Sequence, residues 1–511
     1  MGIAKFGHLG TAGGTTVPAV KSTTCQGVTG RHTCLFGLDG ELWEVPAGFE
    51  PAIRILQTLA LPLGHGTPIR QFSLPSRQMT STIIARGMFV MNATRGSYRD
   101  QLFAEIDARQ DELHTTIAEL VRQPSVLGNE AGVQAVVARR MQEAGMTIHQ
   151  YDLPDDTPKQ PNGGNSGVPF AGRPNVHGKR SGTGGGRSLI LNGHVDVVSP
   201  EPVSAWSHDP WGAEIVGTRM YGRGVLDMKS GVGVNLFLAR LLNDLQIPLQ
   251  GDFKLHSVIE EECTGNGALV AARTDPADGC LITEVTNGTM TAAHPGVIWF
   301  RVQISGKSAH AGSAWQGVNA IVKAVPVINA LTQLNEDLNL QVHPLWEGMH
   351  HPINLNIGVI QGGDWPSTVP AACELHCRTS FFPGTSVEQM QASIEAAVAA
   401  AAAGDDWLRE HPPVVRYDGF RTNGVILDQT DPFVTLLGEA YTAVSGTRLE
   451  TRIGTAVTDQ RYYSFAGMPA TCFGASGDMV HGTDEWLDLT SLPMVARVVG
   501  GFVLDWCGVE E

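Results

Sequence analysis

The chain has 511 residues and a mass of 54.5 kDa, enough for roughly two to four domains. Hydrophobic residues at 42% and charged residues at 17% form an ordinary globular balance and exclude wholesale disorder. Thirty-five basic against 51 acidic residues, a net charge of −16, argue against a nucleic-acid or anionic-membrane surface.

The first 90 residues carry 7 basic and 4 acidic residues, are rich in Gly, Thr and Pro, and show no sustained periodicity. They lack the apolar core and cleavage site of a signal peptide, and Asp39, Glu41, Glu44 and Glu50 fit a transit peptide poorly. An unstructured or artefactual leader over 1–90 is expected, with Met79, Met88 and Met91 as candidate starts. From Tyr98 onward helices and strands alternate. Leu102, Ile106, Leu113, Ile117 and Leu120 predict one helical face across 99–122, and Asn129 is read as the cap of a second helix through Ala144. A Gly/Pro/Asn-rich loop is expected over 154–187. The strand Ser188–Asn192, a helix over 228–246, and the strands Phe253–Ile259 and Cys280–Thr283 follow. This alternation predicts an α/β fold with a mainly parallel sheet and helices on both faces, spanning 98–293. Residues 294–404 read as an inserted α+β domain, a four-stranded antiparallel sheet carrying the helices Asn319–Leu338 and Val387–Ala403. Residues 405–511 return to the first layer and close with an apolar-faced helix, Leu492–Trp506.

Eight cysteines with no C-x-x-C pair fit neither a disulfide scaffold nor a thiolate metal site, and point to the reducing cytoplasm. Apolar stretches read as strand-length or interrupted by polar residues, so no membrane span is expected. Chemistry gathers where the strands stop. His194 and Asp196 end one strand two residues apart, on one side of extended backbone. Glu260, Glu261 and Glu262 end the next, and Glu284 a third. The carboxyl ends of strands form the ligand crevice of an open α/β sheet, and clustered carboxylates there call for cations. Oxygen and imidazole donors without thiolates suit zinc, cobalt or manganese at a catalytic site. Taken singly, each of these residues has an ordinary alternative: a surface pair for His194 and Asp196, a solvated face for the glutamates, a helix cap for Asp227, a loop histidine for His481.

Together, His194-Val-Asp-Val-Val, Gly222-Arg-Gly-Val-Leu-Asp227-Met-Lys, Glu260-Glu-Glu-Cys-Thr-Gly-Asn-Gly267, Glu284 and His481 resemble the motifs of the dizinc amidohydrolases. That family includes acetylornithine deacetylase, succinyl-diaminopimelate desuccinylase, aminoacylase and glutamate carboxypeptidase. The resemblance spans about 98–511, and Gly362-Gly-Asp-Trp-Pro-Ser-Thr-Val-Pro370 is similar to the acetylornithine deacetylase-like branch. It implies two divalent metal ions, most simply zinc, with cobalt or manganese as alternatives. Asp227 would bridge them, with His194 and Glu284 on one and Glu262 and His481 on the other. Asp196 would orient His194, and Glu261 would be the general base. Glu260 stands where the family usually has Asp, and Gly267 sets the register that makes Glu261 the base and Glu262 the ligand. The inserted domain resembles a lid through which such enzymes dimerise. His310 in Gly306-Lys-Ser-Ala-His-Ala-Gly matches the lid histidine that supports the oxyanion, often in the partner subunit, and Arg378 a lid position that binds a substrate carboxylate. For Arg378 a structural ion pair is an equal alternative. The implied activity is hydrolysis of the amide of a small N-acylated amino acid or related amine. The alternatives are an N-formylamino-heterocycle deformylase, a dipeptidase, or a metal-binding regulatory protein without turnover.

Overall fold

The computed structural model describes residues 98–510 and, within 1–97, five short strands. Two units are separated, 1–93 and 94–511. In the first, Ser22–Gly27, Gly30–Phe36 and Leu42–Val45 pair as an antiparallel meander, and Gly2–Ile3 pairs with Arg70–Gln71. The rest of the leader, on which the expectation of an unstructured segment rests, lies outside the described residues.

The second unit is built on a six-stranded sheet. Its order is Ala470–Cys472, Cys280–Ile282, Leu189–His194, Phe253–Val258, Asn175–Arg180, Thr147–Tyr151. The first four strands are parallel, and the last two extend the sheet antiparallel. Period-two alternation sends Leu189, Leu191, Phe253 and Leu255 to one face, where Val133, Phe237, Val499 and Phe502 meet them from helices. Ile190, Val258 and Ile282 face the other way, onto Asn266–Thr274 and Gln460–Phe465. Each fully buried side chain of this kind contributes roughly 1.5–3 kcal/mol. Apolar residues on both faces are what a parallel, doubly covered sheet requires.

Helical residues 98–108 and Gln110–Val121 carry Leu102, Ile106, Leu113, Ile117 and Leu120, all fully buried. Asn129 does not cap the next helix. Ala131–Glu143 starts after Glu130, and the Asn129 amide donates to the Pro124 carbonyl instead. The expected loop over 154–187 contains the strand Asn175–Arg180, whose sequence lacks apolar alternation. Its place is fixed by pairing with Phe253–Val258, His177 lying opposite His256.

The inserted domain has the expected antiparallel sheet, ordered Leu355–Gly362, Ala372–Phe381, Gly296–Ser305, Val414–Thr422. Helices Ala320–Leu338 and Val387–Ala403 bury Val327, Leu331, Ile394 and Val398 against it. The fourth strand comes from 414–422, so this domain runs past the expected boundary at 404. The stretch Leu489–Cys507 is long and apolar enough to cross a membrane, contrary to the sequence reading. Two-thirds of that window is buried, with Val499, Phe502 and Val503 inside the main core. All six cysteines among the described side chains are free and buried.

Candidate active site

The sheet's carboxyl edge brings together five of the predicted residues. His194 ends its strand, Glu262 and Glu284 follow theirs, and Asp227 sits in the turn before helix Ser230–Asp244. His481 comes from the loop between Gly477–Asp478 and Trp486–Asp488, two strands of a small antiparallel sheet. His194 Nε2 lies 3.2 Å from Asp227 Oδ1 and 3.4 Å from Glu284 Oε1. His481 Nε2 lies 3.5 Å from Asp227 Oδ2 and 3.0 Å from Glu262 Oε2. Two triads result, His194–Asp227–Glu284 and Asp227–Glu262–His481, sharing Asp227 through its two oxygens. Donor spacings of this size match ligands about 2.0–2.2 Å from a common cation.

The electrostatics favour cations there. Burial, with Asp227 beside it, pushes Glu262 up to about 7 and raises Glu284. Burial alone would lower His194, but the Asp227 and Glu284 carboxylates outweigh it and hold it well above the usual imidazole range. Hydrogen bonds to Asp227 and Glu262 push His481 up to about 11. Crowded carboxylates that hold protons and imidazolium this tightly form a negative pocket, and the donor set fits two divalent metal ions.

The turn carrying Asp227 is clamped by Glu485, which sequence reasoning did not single out. Its carboxylate accepts from the backbone N–H of Gly224, Leu226 and Asp227 at 2.9, 2.9 and 3.1 Å, and from Arg223 Nη1 at 2.7 Å. Gly224 has φ +74, and a Cβ there would lie 2.2 Å from Val197, so only glycine fits the turn.

Asp196 acts differently from expectation. His194 Nδ1 bonds the Asp196 backbone carbonyl at 3.0 Å, whereas the carboxylate is 3.8 Å away. That carboxylate instead accepts from the N–H groups of Glu261 and Glu262, both at 3.0 Å, and so fixes the loop carrying both. Glu260 is turned away from the triads with φ +64. Its carboxylate accepts from Arg173, Ser166, Thr264 and Asn266. A non-glycine residue at positive φ needs surroundings that over-determine it, and four donors supply them. Glu261 is buried, and its Oε1 has no hydrogen-bond partner among the described residues and lies 3.7 Å from the Arg461 guanidinium. Burial raises its carboxyl well above the ordinary range.

The lid residues stand apart. His310 is exposed, its Nδ1 accepting from the Gly312 N–H, and the described contacts do not join it to the triads. Arg378 donates to the Asn354 carbonyl at 3.4 Å and has no ion pair among the described residues. Its alternative as a structural ion pair is therefore not realised. A further grouping, His177, His256 and Asp275, does not suit a cation. The two rings stack at 3.8 Å and 7°, so their in-plane lone pairs cannot meet at one ion, and the Lys254 ammonium already neutralises Asp275.

The fold and paired triads define an α/β protein with a site for two divalent metal ions at the carboxyl edge of its sheet. Residues 190–505 match the description "Peptidase family M20/M25/M40", and the chain belongs to that family. It is 28% identical over 406 residues to N-formyl-4-amino-5-aminomethyl-2-methylpyrimidine deformylase of Bacillus subtilis, covering 75% of this chain and 91% of that protein. It is also 28% identical over 404 residues to succinyl-diaminopimelate desuccinylase of Methylorubrum populi, covering 75% and 95%. The di-peptidase Dug1p of Saccharomyces cerevisiae shares the fold with a TM-score of 0.67 at 12% identity, over 81% of this chain and 99% of that one.

Proposed function

We propose that the protein hydrolyses the amide of a small N-acylated amino acid, in the manner of an acetylornithine deacetylase-like deacylase. The observation that carries this reading is the pair of triads sharing Asp227, with the buried carboxylate of Glu261 beside them. His194, Asp227 and Glu284 would hold one divalent ion, and Asp227, Glu262 and His481 the other, most simply zinc, with cobalt or manganese accepted by the same donors. Bound there, the ions supply Lewis acidity to a water and to the scissile carbonyl. Glu261 takes the water's proton at its carboxylate and hands it to the departing amine, a task suited to a carboxyl raised by burial. Asp196 keeps Glu261 in place through its backbone N–H. The half-buried Arg378, without an ion pair among the described residues, suits a substrate carboxylate, which a guanidinium grips with two parallel hydrogen bonds. His310, which is not joined to the triads of its own chain, supplies a donor to the oxyanion once a lid, its own or that of a partner subunit, carries it there.

A second reading, deformylation of an N-formylamino heterocycle, is favoured by two deformylase relatives that this chain matches over 75% and 81% of its length. The experiment is amide hydrolysis with zinc-, cobalt- or manganese-loaded protein on N-acetyl, N-formyl and N-succinyl amino acids, dipeptides and an N-formylaminopyrimidine. Preference for an acyl amino acid supports the first reading, and preference for the pyrimidine the second. Two bound metals with no amide cleaved would favour a regulatory protein.

We further infer a cytoplasmic homodimer joined through the lid. The free, buried cysteines support the compartment. At the lid's edge, the strand Leu355–Gly362 exposes most of its residues, Ile360 among them, and Trp315 and Trp365 elsewhere in the lid are 79% and 66% exposed. Exposed edges and apolar patches of this kind usually find a partner. Ile360→Lys is expected to convert a dimer to a monomer in light scattering. A monomeric wild type at micromolar concentration would refute the dimer.

A further inference from the structure

Besides the two covalent crossings near 295 and 423, the lid touches the loop of Glu261 through a third route. Strand Val414–Thr422 bulges where Ile298 pairs with Arg421 and Trp299 with Asp418, leaving Gly419 and Phe420 as extra residues. The bulge turns both toward the larger domain. Gly419 exchanges two backbone hydrogen bonds with Asn165, at 2.7 and 3.2 Å. Phe420 lies under the Arg461 guanidinium, 5.2 Å from its ring centre, and Arg461 is the cation beside Glu261.

From Asn165 the contact continues inward. The Asn266 side chain grips Gly164 at both ends, accepting from its N–H at 3.0 Å and donating to its carbonyl at 2.9 Å. The same amide donates to Glu260 Oε2 at 3.2 Å, and the Ser166 hydroxyl donates to Glu260 Oε1 at 2.8 Å. Gly164 is packed so tightly that a Cβ would fall 2.3 Å from the Gly419 carbonyl and 2.8 Å from Thr264. On its outer side lies a cleft of about 400 Å³ lined by Lys159, Asn165, Tyr417 and Arg421. Hydrogen bonds, not packing, therefore hold that side.

We propose that residues 163–166 are a strap that registers the lid on the Glu260–Glu262 loop, with Asn266 as the positioning residue. The strap has one end on the lid's bulge and the other on Glu260, whose strained backbone precedes Glu261. Displacing either end moves the carboxylate that must meet the water. A shift of about 1 Å in such a group costs up to about 10²-fold in rate. The inference rests on reading Glu261 as the base, and its physical half is measurable without any reaction.

The test uses the full-length, metal-loaded chain carrying Asn266→Ala, with Ser166→Ala as the milder variant should the first fold poorly. Hydrogen exchange is expected to speed up about tenfold or more in both the 259–264 loop and the 414–422 strand. Turnover is expected to fall about 10- to 100-fold, with KM within about threefold and the metal content unchanged. Faster exchange in the 259–264 loop alone would overturn the strap, as would wild-type turnover in both variants. If no amide is cleaved by any form, the base reading fails while coupled exchange still upholds the link between lid and loop.

Discussion

Glu261→Gln is expected to lower turnover by about 10²- to 10⁴-fold while the protein keeps its metals. Glutamine has nearly the same shape, so the placement beside Arg461 survives, but its amide cannot take a proton at neutral pH. The backbone bonds from Glu261 and Glu262 to Asp196 do not involve the substituted atoms. The neighbouring triad should therefore stay in place. The measurement is kcat and metal per chain on the same preparation. Metal lost with activity would make Glu261 a ligand and slip the register by one residue. Turnover retained would place the base elsewhere. Glu260 is no candidate for that role, because Arg173, Ser166, Thr264 and Asn266 occupy its carboxylate.

Asp227→Ala is expected to release both ions and to reduce activity by about 10³-fold or more. Among the five donors only Asp227 belongs to both triads, one oxygen facing His194 and the other His481. His481→Ala, in contrast, is expected to weaken only one site, since His194 and Glu284 do not touch it. Metal content after dialysis, read for both variants, separates the two cases. Equal losses would show that Asp227 is not the shared ligand. Two metals retained by Asp227→Ala would remove it from the site.

Much of this site can be read from the chain because three of its five donors, His194, Glu262 and Glu284, stand at or just past strand ends, and strand ends follow from local pattern. Leu189, Ile190 and Leu191 alternate between two apolar faces, so the strand and its termination at His194 are evident without neighbours. The same holds for Phe253–Val258 before Glu260–Glu262 and for Cys280–Ile282 before Glu284. Composition cannot tell the three consecutive glutamates apart, and the resemblance to the dizinc amidohydrolases, taken in register with Gly267, is what orders them; the structure gives Glu260 a buried set of partners of its own. The lid's helices and three of its strands are likewise visible as periodic segments.

Other features have no local signature. Asn175–Arg180 looks like part of a loop because its burial comes from pairing beside Phe253–Val258, not from apolar side chains. The lid's fourth strand lies beyond the expected boundary because a sheet edge can be filled from anywhere in the chain. Asp196 is conspicuous next to His194, yet its carboxylate serves N–H groups 65 and 66 residues away. Glu485 clamps a turn about 260 residues earlier, and nothing in its neighbourhood marks it for that task. The sequence by itself determined the helices and strands with a clear apolar period and which residue types stand at their ends, because those follow from near neighbours and side-chain period. Only the tertiary structure decided which buried carboxylate meets which backbone N–H, because such partners are chosen when distant segments close and each buried charge must find its donors.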